Sequence, residues 1–436
     1  MLFGSRELID LGQLDQEARK TACTQLGERL EKIQEEWVTR LCGPRYKRRN
    51  RSRYARAGTR KKRQIATELG PVGIRLRRIR DKQTGDSSAP LLVLLGLKPR
   101  QRYCPDVRQS CADLAVKVSY GDASETYQQT REIAPARSSI HRFVQEAGPA
   151  MDRVNKQYLQ GQVKRLKRGG GLVVLQADGT KTHSNSNTGK GRKNDARVVI
   201  AQGENGNKIL LSSSVNSPWE EISHNLGELG LPAKRCVMVG DAEPDIRTSF
   251  KDQTAAYQLC LLHVARAVNF KLWKQNQHVP TKVRLSLVRD LAGILFSLVR
   301  SVKKHLLAPD PAMLRRKIRQ TLKALDSYAA RLKVEGCVSA AGFVSRSVQE
   351  MVVFARLALE HVRIPYTVNL MERLMGEVAK RVKNRWAHWS EKGLNNLLTL
   401  LLVRYTNRNL YKSAWKTIYH PVEDHTNQHV RGKTER

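Results

Sequence analysis

The sequence lacks the paired cysteines from which disulfide frameworks and zinc ribbons are built. Its seven cysteines are scattered along the chain, and no two of them form a Cys-x-x-Cys motif. Small secreted scaffolds and structural zinc sites depend on such pairs. The cysteine pattern therefore favours a reducing compartment, and we expect the cytosol or the nucleoid.

Long apolar runs are also missing. The longest, residues 291–299 and 397–403, are far shorter than the ~20 residues that span a bilayer as a helix. Residues 1–12 lack the basic start and the apolar run that are typical of a signal peptide. The sequence therefore predicts neither a membrane segment nor a secretory leader.

Acidic residues are few beside the basic ones. The 436 residues include 40 Asp and Glu but 78 Lys and Arg, which gives a formal net charge of +38. With 40% hydrophobic residues the chain is long enough for roughly two to four packed domains. A charge this high predicts a polyanionic partner, of which nucleic acid is the commonest.

The basic residues are densest between residues 45 and 63, where eleven Lys and Arg occur with no acid. One interpretation is a solvated flexible arm. Such a run repels itself unless a polyanion neutralises it, so we favour contact with nucleic acid. The residues predicted to make this contact are Arg48, Arg49, Arg51, Lys61, Lys62 and Arg63.

The N-terminal hundred residues are predicted to hold one long helix and a small strand region. Apolar residues at steps of three and four indicate the helix, which Gly43 ends. Its expected buried stripe is Leu14, Ala18, Ala22, Leu26, Leu30, Ile33, Trp37 and Leu41. Residues 67–80 alternate apolar and basic side chains, as a strand or hairpin does.

Three short helices are predicted next, at residues 107–118, 120–130 and 138–147. The third begins with small polar residues, as recognition helices often do. A helix-turn-helix that places His141 and Arg142 on DNA is therefore one interpretation, and a plain helical connector is the other.

The periodicity changes after the basic, glycine-rich residues 164–171, which we predict to be a linker at a domain boundary. Beyond it the pattern predicts three strands, a helix, a strand, a helix and a last strand. These elements are predicted at residues 172–177, 197–202, 208–213, 218–229, 236–239, 243–250 and 255–262.

Residues 264–363 show no strand pattern, and we predict a block of helices there. Its helices are predicted at residues 285–298, 313–332 and 345–361. An amphipathic helix is predicted at residues 366–389, and the helical pattern continues to residue 411. The predicted domains are 1–100, 101–160, a core of 170–263 with 366–411, a helical insertion of 264–365 and a flexible tail of 412–436.

Three acids are placed where chemistry could occur. Asp178 follows the first core strand, Asp241 follows the fourth, and Glu372 lies on the helix of residues 366–389. If the two strands are neighbours, the three carboxylates meet and repel one another unless divalent cations neutralise them. Oxygen ligands suit Mg²⁺ or Mn²⁺, and two such ions can drive displacement at a phosphodiester.

Four motifs of this region resemble those of the DDE transposases of prokaryotic insertion sequences. The motifs are Ala-Asp178-Gly-Thr, Val-Gly-Asp241-Ala-Glu, Cys260-Leu-Leu-His263-Val and Asn369-Leu-Met-Glu372-Arg-Leu-Met-Gly-Glu-Val-Ala-Lys-Arg-Val-Lys. The resemblance covers roughly residues 172–411 and is closest to the haloarchaeal-type group, and more distant to the Mutator-like group with a helical insertion. One departure is Cys260, where relatives often carry Asp, and it puts a metal role for this position in doubt.

The resemblance implies an α/β fold with an RNase H-like mixed sheet core, a large all-helical insertion and an N-terminal helical DNA-binding region. It implies a transposase in which Asp178, Asp241 and Glu372 are the catalytic residues and bind two Mg²⁺ or Mn²⁺ ions. The expected partner is double-stranded DNA, as element ends and as target, bound by a homodimer or a higher oligomer. The alternatives are a domesticated DNA-binding protein that no longer cuts, and an RNase H-like nuclease or resolvase.

Neighbouring acids compete for these roles. Glu243 and Asp245 could be helix-start acids, and we favour Asp241 because a strand end aims its side chain rigidly. Glu377 lies about 140° round the helix from Glu372, so only one of the two can face the site.

Two features support Glu372 over Glu377 and one opposes it. Gly376 and Ala379 lie on the side of Glu372, where small residues allow close approach to a sheet. Asn369-x-x-Glu372, however, also matches a capping box, in which the glutamate only satisfies backbone donors.

Other residues carry open alternatives. The spacing of Cys260 and His263 matches half of a zinc site, and the alternative is a structural pair. A further alternative for His263 is a contact with phosphate. Trp386 and Trp389 pack in the core or stack on an unpaired base. The remaining side chains predicted to hold the DNA backbone are Arg373, Lys380, Arg381, Lys383 and Arg385.

Overall fold

The computed structural model describes residues 10–44, 52–98, 100–131, 133, 135–185, 193–203, 206–275, 280–383 and 387–419, and only the backbone of residues 59–61 and 275. The chain divides into two compact units, Met1–Met151 with Asn409–Arg436, and Asp152–Arg408. The predicted DNA contacts that lie outside the described residues are Arg48, Arg49, Arg51, Arg385 and Trp386; the side chain of Lys61 is also outside them.

The elements follow one another along the chain. The first are α1 (Leu11–Cys42), β1 (Tyr54–Thr67), β2 (Gly70–Asp81), β3 (Ser87–Ser88), α2 (Pro90–Leu94), α3 (Pro105–Lys117), α4 (Tyr120–Arg131) and α5 (Arg137–Arg168). Next come β4 (Val173–His183), β5 (Lys193–Gln202), β6 (Lys208–Val215), α6 (Trp219–Glu228), β7 (Cys236–Gly240), α7 (Pro244–Ser249) and β8 (Ala256–Leu259). The last are α8 (Leu261–Gln275), α9 (Thr281–Leu307), α10 (Pro311–Val334), α11 (Val338–Ser347), α12 (Val353–Leu359), α13 (Asn369–Val382), α14 (Glu391–Thr406) and α15 (Arg408–Tyr419).

The predicted N-terminal helix is confirmed as α1, but its buried stripe lies one residue further along. The buried positions are Cys23, Gly27, Gln34, Val38 and Cys42, while the predicted Leu14 is 51% exposed. Gly27 explains the shift, because a Cβ there would lie 2.7 Å from the carbonyl oxygen of Gly73 in β2. The face of α1 that packs against β2 is therefore the one that carries Gly27, where no side chain separates the two backbones.

Gln34 makes the hydrogen bonds to β2 that a neighbouring strand would otherwise make at this edge. Its side chain accepts a hydrogen bond from the amide of Arg77 at 2.7 Å and donates one to the carbonyl of Arg75 at 2.9 Å. An open strand edge carries unpaired donors and acceptors, and α1 satisfies them through this amide side chain.

β1 and β2 form an antiparallel hairpin, so of the two alternatives for residues 67–80 the strand is the one found, as β2. The second half of the basic segment is a strand, β1, instead of an arm. Ile65 and Ile74 face the core of this unit, whereas Lys62 and Arg75 lie opposite each other on the exposed face. Basic side chains at outward positions do not prevent strand formation, because only the inward positions need to be apolar.

The helices α3 and α4 confirm two of the three predicted short helices, but α5 runs on to Arg168. The predicted linker is therefore helical over residues 164–168. Arg235 stabilises this last turn, since its guanidinium donates to the carbonyl oxygens of Leu166 at 2.9 Å and Lys167 at 3.0 Å. Such cationic capping satisfies carbonyls that a helix end leaves without partners.

The predicted flexible tail also begins as structure. Residues 412–419 belong to α15, whose Tyr411 hydroxyl donates to Asp113 at 2.9 Å and whose Tyr419 hydroxyl donates to the carbonyl of Phe143 at 3.2 Å. Trp415 is buried on the same helix. These aromatic residues explain why the helix continues beyond residue 411.

The second unit contains a mixed sheet with the strand order β6-β5-β4-β7-β8. β5 pairs antiparallel with both β4 and β6, whereas β7 lies parallel to β4 and β8 lies parallel to β7. One face carries a core to which Leu175, Met238, Trp219 and Phe250 belong. The first and fourth core strands are therefore neighbours, which is the condition for Asp178 and Asp241 to meet.

Helices fill the chain between β8 and α13, as predicted, but their boundaries differ. The last strand ends at Leu259 and α8 begins at Leu261, where the sequence pattern predicted a strand to residue 262. The single helix predicted at 345–361 is two, α11 and α12, separated by a turn around Glu350. Glu350 explains the break, because its carbonyl accepts a hydrogen bond from the amide of Leu259 at 3.0 Å.

The helix predicted at 366–389 is shorter, since α13 ends at Val382. Trp389 lies beyond it in an isolated bridge with Ser184, and its amide donates to the carbonyl of His183 at 3.1 Å. Within the described residues, no helix has both the length and the apolar character needed to cross a membrane.

Candidate acidic site on the mixed sheet

Asp178 lies on β4, and Asp241 directly follows the neighbouring parallel strand β7. β4 and β7 pair Val173 with Cys236 and Leu175 with Met238, and the same register continued by three residues places Asp178 opposite Asp241. Asp178 is not at the end of its strand, as the sequence predicted, because β4 continues to His183 against β5. It lies where β7 ends, so the two aspartates still meet.

The alternation of side chains along β4 decides which face they occupy. Leu175 and Ala177 point into the core on one face, so Gln176 and Asp178 point to the other. Gln176 is buried, and its Oε1 accepts a hydrogen bond from the amide of Met371 in the first turn of α13, at 3.2 Å. Asp178 therefore faces the helix that carries Glu372.

Glu372 lies in the first turn of α13 and is held by two basic side chains. Its Oε1 is 3.2 Å from Nη1 of Arg266 and 3.7 Å from Nε2 of His263, both on α8. The N-cap is Val368 and Asn369 is the first helical residue, so the register of a capping box is absent and that alternative does not apply. Glu377 is exposed and pairs with Lys380 at 2.7 Å.

The carboxylates of Asp241 and Glu372 act on that of Asp178. Burial, together with the neighbouring charges of Asp241 and Glu372, raises the pKa of Asp178 to about 6. The amide of Gly179, which donates to its Oδ1 at 2.7 Å, and the nearby His263 lower this pKa in part. Asp241 and Glu372 therefore lie within electrostatic range of Asp178, while their joint binding of an ion stays a prediction.

The backbone of Asp241 is held by a hydrogen bond from the side chain of Tyr257. The hydroxyl of Tyr257 donates to the carbonyl of Asp241 at 2.8 Å, and it lies 2.2 Å from where a Cβ of residue 240 would be. Only glycine fits at position 240. Oδ1 of Asp241 accepts a hydrogen bond from the amide of Glu243 at 3.1 Å, which orients the carboxylate.

Glu243 belongs to the same acidic site, which the sequence did not predict. It is half-buried, and burial together with Asp241 and Asp178 raises its pKa. Asp245 is exposed on α7 and is not part of the site. The signal available in the sequence was the position of Glu243 before Pro244, since the residue before a proline at a helix start is extended and can aim its side chain along the strand direction.

The donor chemistry of the site fits a divalent cation, but the present arrangement is open. In the part of the chain that the structure describes, no three His, Cys, Asp or Glu side chains come close enough to hold an ion. Among the described residues, Oδ2 of Asp178 and Oδ2 of Asp241 receive no hydrogen bond, and Glu372 is occupied by Arg266 and His263. Two carboxylate oxygens therefore remain available, and the third carboxylate has cationic partners.

Cys260 and His263 lie beside the acids. The pairing of Gly240 with Leu259 continues to place buried Cys260 opposite Asp241. Burial alone would raise the pKa of the Cys260 thiol, but His263 and the amides of His263 and Val368 outweigh it and lower the pKa. The pKa of His263 is raised in turn by Cys260, while Nη1 of Arg266 lies 3.2 Å from its Nε2.

The residues predicted to hold DNA fall into two groups. Those on exposed or half-buried positions are Lys62, Arg63, His141, Arg142, His263, Arg373, Lys380 and Lys383. Arg381 and Trp389 are buried instead, with the guanidinium carbon 5.2 Å from the ring centroid and the indole N–H donated to the carbonyl of Val382 at 3.1 Å. This pair fixes the chain that leaves α13, so the core alternative is favoured for Trp389. Arg381 is buried beside it, and its predicted contact with the DNA backbone stays a prediction.

Comparison with known proteins gives one family match. A model described as an uncharacterised protein family, UPF0236, matches residues 7–417. No curated protein matches the chain.

Proposed function

The chain belongs to the uncharacterised protein family UPF0236, and we propose that it is a Mg²⁺-dependent DNA transposase of the DDE type. One observation carries the proposal: Asp178, Asp241 and Glu372 lie at one face of a mixed sheet, where burial and the two neighbouring carboxylates raise the pKa of Asp178. The strand order, with the aspartates on parallel neighbours and helices inserted between β8 and α13, supports an RNase H-like core.

The residues that would hold the ions are Asp178, Asp241 and Glu372. Their oxygen donors suit Mg²⁺ or Mn²⁺, and a cation would relieve the repulsion that acts on Asp178. Bound ions of this kind supply Lewis-acid stabilisation of the charge that develops on the oxygens of a scissile phosphodiester.

The proposed reaction has two steps. Water attacks a phosphorus at the element end, the bond from phosphorus to O3′ breaks, and a 3′-hydroxyl and a 5′-phosphate result. The 3′-hydroxyl then attacks a phosphorus of target DNA, forms a new ester bond and releases a target 3′-hydroxyl. The second step exchanges one phosphodiester for another, so it needs no energy-rich cofactor.

Two basic residues of the site, His263 and Arg266, are proposed to contact the phosphate of the DNA backbone. His263 lies 3.7 Å from Glu372, and its neighbour Cys260 raises the pKa of the imidazole. The side chain of Arg266 is 66% exposed, so it can exchange the Glu372 carboxylate for a phosphate oxygen when DNA arrives. In this proposal the side chains of His263 and Arg266 contact Glu372 in the free protein and the DNA backbone in the complex.

The first unit is proposed to bind double-stranded DNA. Lys62 on the hairpin lies opposite Arg75, and two like charges in that position destabilise a sheet unless an anion neutralises them. His141 and Arg142 are exposed near the start of α5. These positions support contacts to the phosphate backbone on both the hairpin and the helices.

A second candidate function is DNA binding without cleavage. The observation in its favour is the ion pair between Glu372 and Arg266, which occupies the third carboxylate. The two candidates differ in the metal requirement, since only the transposase needs Mg²⁺ or Mn²⁺.

The experiment is an in vitro cleavage and joining assay on duplexes that carry the inverted repeats flanking the gene. Asp178→Asn, Asp241→Asn and Glu372→Gln should each reduce joining by at least about a hundredfold, as expected for groups that act as a unit. Glu377→Gln is the matched control, because Glu377 lies exposed on the same helix and pairs with Lys380.

The outcomes separate the candidates. Near-wild-type joining by any of the three variants removes that residue from the triad. Cleavage without joining indicates a nuclease, and DNA binding without cleavage indicates the second candidate.

A further inference from the structure

The helix that contributes His263 and Arg266 to the acidic site has an unusual outer face. Val264, Val268 and Leu272 recur every four residues and are fully buried, which fixes the inner face of α8. On the opposite side, an amphipathic helix normally carries polar residues. Here Phe270 is 56% exposed and Trp273 is 51% exposed.

These two rings form one surface. Their centroids lie 5.8 Å apart with an interplanar angle of 38°. Large aromatic side chains left in water are costly, and a soluble surface usually exposes them where something binds. Nothing among the described residues covers them, as their exposure demonstrates.

The surface continues directly from the acidic site. At about 100° per residue, His263, Arg266, Phe270 and Trp273 fall within an arc of roughly 80° on α8. His263 and Arg266 contact Glu372, and the aromatic pair lies one to two turns further along the same helix. A strand of DNA whose phosphate lies at the acids can therefore reach the rings with its next nucleotides.

Charge indicates what the rings bind. Lys274 is exposed, and because it lies four residues after Phe270 it projects from the same side of α8 as the rings. Cations beside exposed aromatic rings are the combination that binds single-stranded nucleic acid, since the cations hold phosphates and the rings stack on bases. A second copy of so basic a chain would meet repulsion at this surface, which has no exposed acid on α8.

We propose that Phe270 and Trp273 form a stacking surface for unpaired bases of the DNA strand that enters the acidic site. This deepens the proposed function and depends on it for the direction of the strand. The ligand class is a single-stranded extension or a frayed end of duplex DNA, bound through its bases and not only through its phosphates.

The test compares two DNA probes that differ only in their bases. One is a duplex with a short single-stranded extension, and the other carries the same extension with abasic nucleotides, so the phosphates are equal. Binding is measured in EDTA with the full chain carrying Glu372→Gln, so that no cutting occurs. The expected result is about tenfold tighter binding of the base-bearing extension.

The variants locate the effect. Trp273→Ala and Phe270→Ala should remove most of this preference, and Trp273→Phe should keep it. Val283→Ala is the matched control, because Val283 is 47% exposed at the start of the neighbouring helix α9. None of these exposed side chains supports the core, so the variants should fold.

Three results would overturn the proposal. They are equal affinity for the two probes, a preference that survives both alanine variants, and a change of oligomeric state in those variants measured by sedimentation, which would mean that a second copy covers the rings. Base-dependent binding in EDTA is independent of cleavage. A protein that binds bases here but never cuts would therefore contradict the transposase proposal and leave the stacking surface standing.

Discussion

The side-chain oxygen of Gln176 lies 3.2 Å from the amide nitrogen of Met371 and accepts its hydrogen bond. This bond ties the strand that carries Asp178 to the first turn of the helix that carries Glu372. The two acids are separated by almost two hundred residues, and the hydrogen bond sets the distance between their backbones. Gln176 is thus a positioning residue for the acidic site.

Removing this bond should disturb the site more than the fold. We expect Gln176→Leu to lose about 1–3 kcal/mol of stability, because a buried donor loses its acceptor. Joining should fall, and the Mn²⁺ concentration for half-maximal rate should rise, while affinity for DNA in EDTA stays unchanged. Gln176→Glu keeps the acceptor and should restore most of the rate. A Leu variant with an unchanged metal requirement would show that Gln176 only packs.

Asp178 should destabilise the metal-free protein at neutral pH. Its pKa is about 6 in the folded chain and 3.8 as the ordinary value, so the folded state holds the proton more tightly. Stability therefore falls as pH rises from about 4 to 6, and the penalty remains above pH 6. We expect Asp178→Asn to raise the melting temperature in EDTA at pH 7.5 by several degrees and to have little effect at pH 4.

Thermal unfolding at the two pH values measures this difference directly. Asp245→Asn is the control, because Asp245 is exposed on α7 and lies outside the site. If Asp178→Asn lowers the melting temperature at pH 7.5 in EDTA, the folded chain does not disfavour the ionised form of the Asp178 carboxylate.

Arg266 competes with any cation for Glu372. Because its Nη1 lies 3.2 Å from Oε1, Arg266→Ala should free the carboxylate and tighten Mn²⁺ binding several-fold in the absence of DNA. The same variant should weaken DNA binding and make it less sensitive to salt, since one phosphate contact is lost. Arg373→Ala, an exposed neighbour of Glu372, should leave Mn²⁺ affinity unchanged. Weaker Mn²⁺ binding in Arg266→Ala would indicate that Arg266 supports the site instead of competing with it.

Two helical glycines should respond oppositely to the same substitution. A Cβ at Gly27 would meet the carbonyl oxygen of Gly73 at 2.7 Å, so Gly27→Ala should cost about 1–3 kcal/mol. A Cβ at Gly293, inside α9, would meet nothing within 4 Å. Gly293→Ala should therefore gain up to about 1 kcal/mol from helix propensity. Denaturant unfolding of both variants measures these changes, and equal effects would contradict the close contact between α1 and β2.

The apolar runs that end near Asp178 and Asp241 predicted their strands, and the resemblance implied the mixed sheet. The acids were expected to meet only if the two strands are neighbours, and that pairing is known from the fold. The buried face of α1 was misplaced, because the hydrophobic pattern assigns no weight to Gly27, whose missing side chain decides the contact with β2. The end of α13 was misplaced because Trp389 continues the helical spacing while its backbone pairs with β4.

Other features depend on contacts that no local pattern reveals. Gln176 did interrupt an apolar run, and a polar residue inside a buried strand is a signal for a specific partner. The partner itself, an amide in α13, is known only from the fold. The exposure of Phe270 and Trp273 was equally out of reach, because two apolar residues on a helix predict burial unless the neighbouring elements are known.

The central claim is that Asp178, Asp241 and Glu372 bind divalent cations together. Calorimetric titration of Mn²⁺ into the full chain bound to a duplex end tests it most directly. We predict uptake of two ions by the natural sequence, strongly reduced uptake by Asp178→Asn and by Glu372→Gln, and unchanged uptake by Glu377→Gln. Absence of uptake in the natural sequence, or equal uptake in all four proteins, would contradict it.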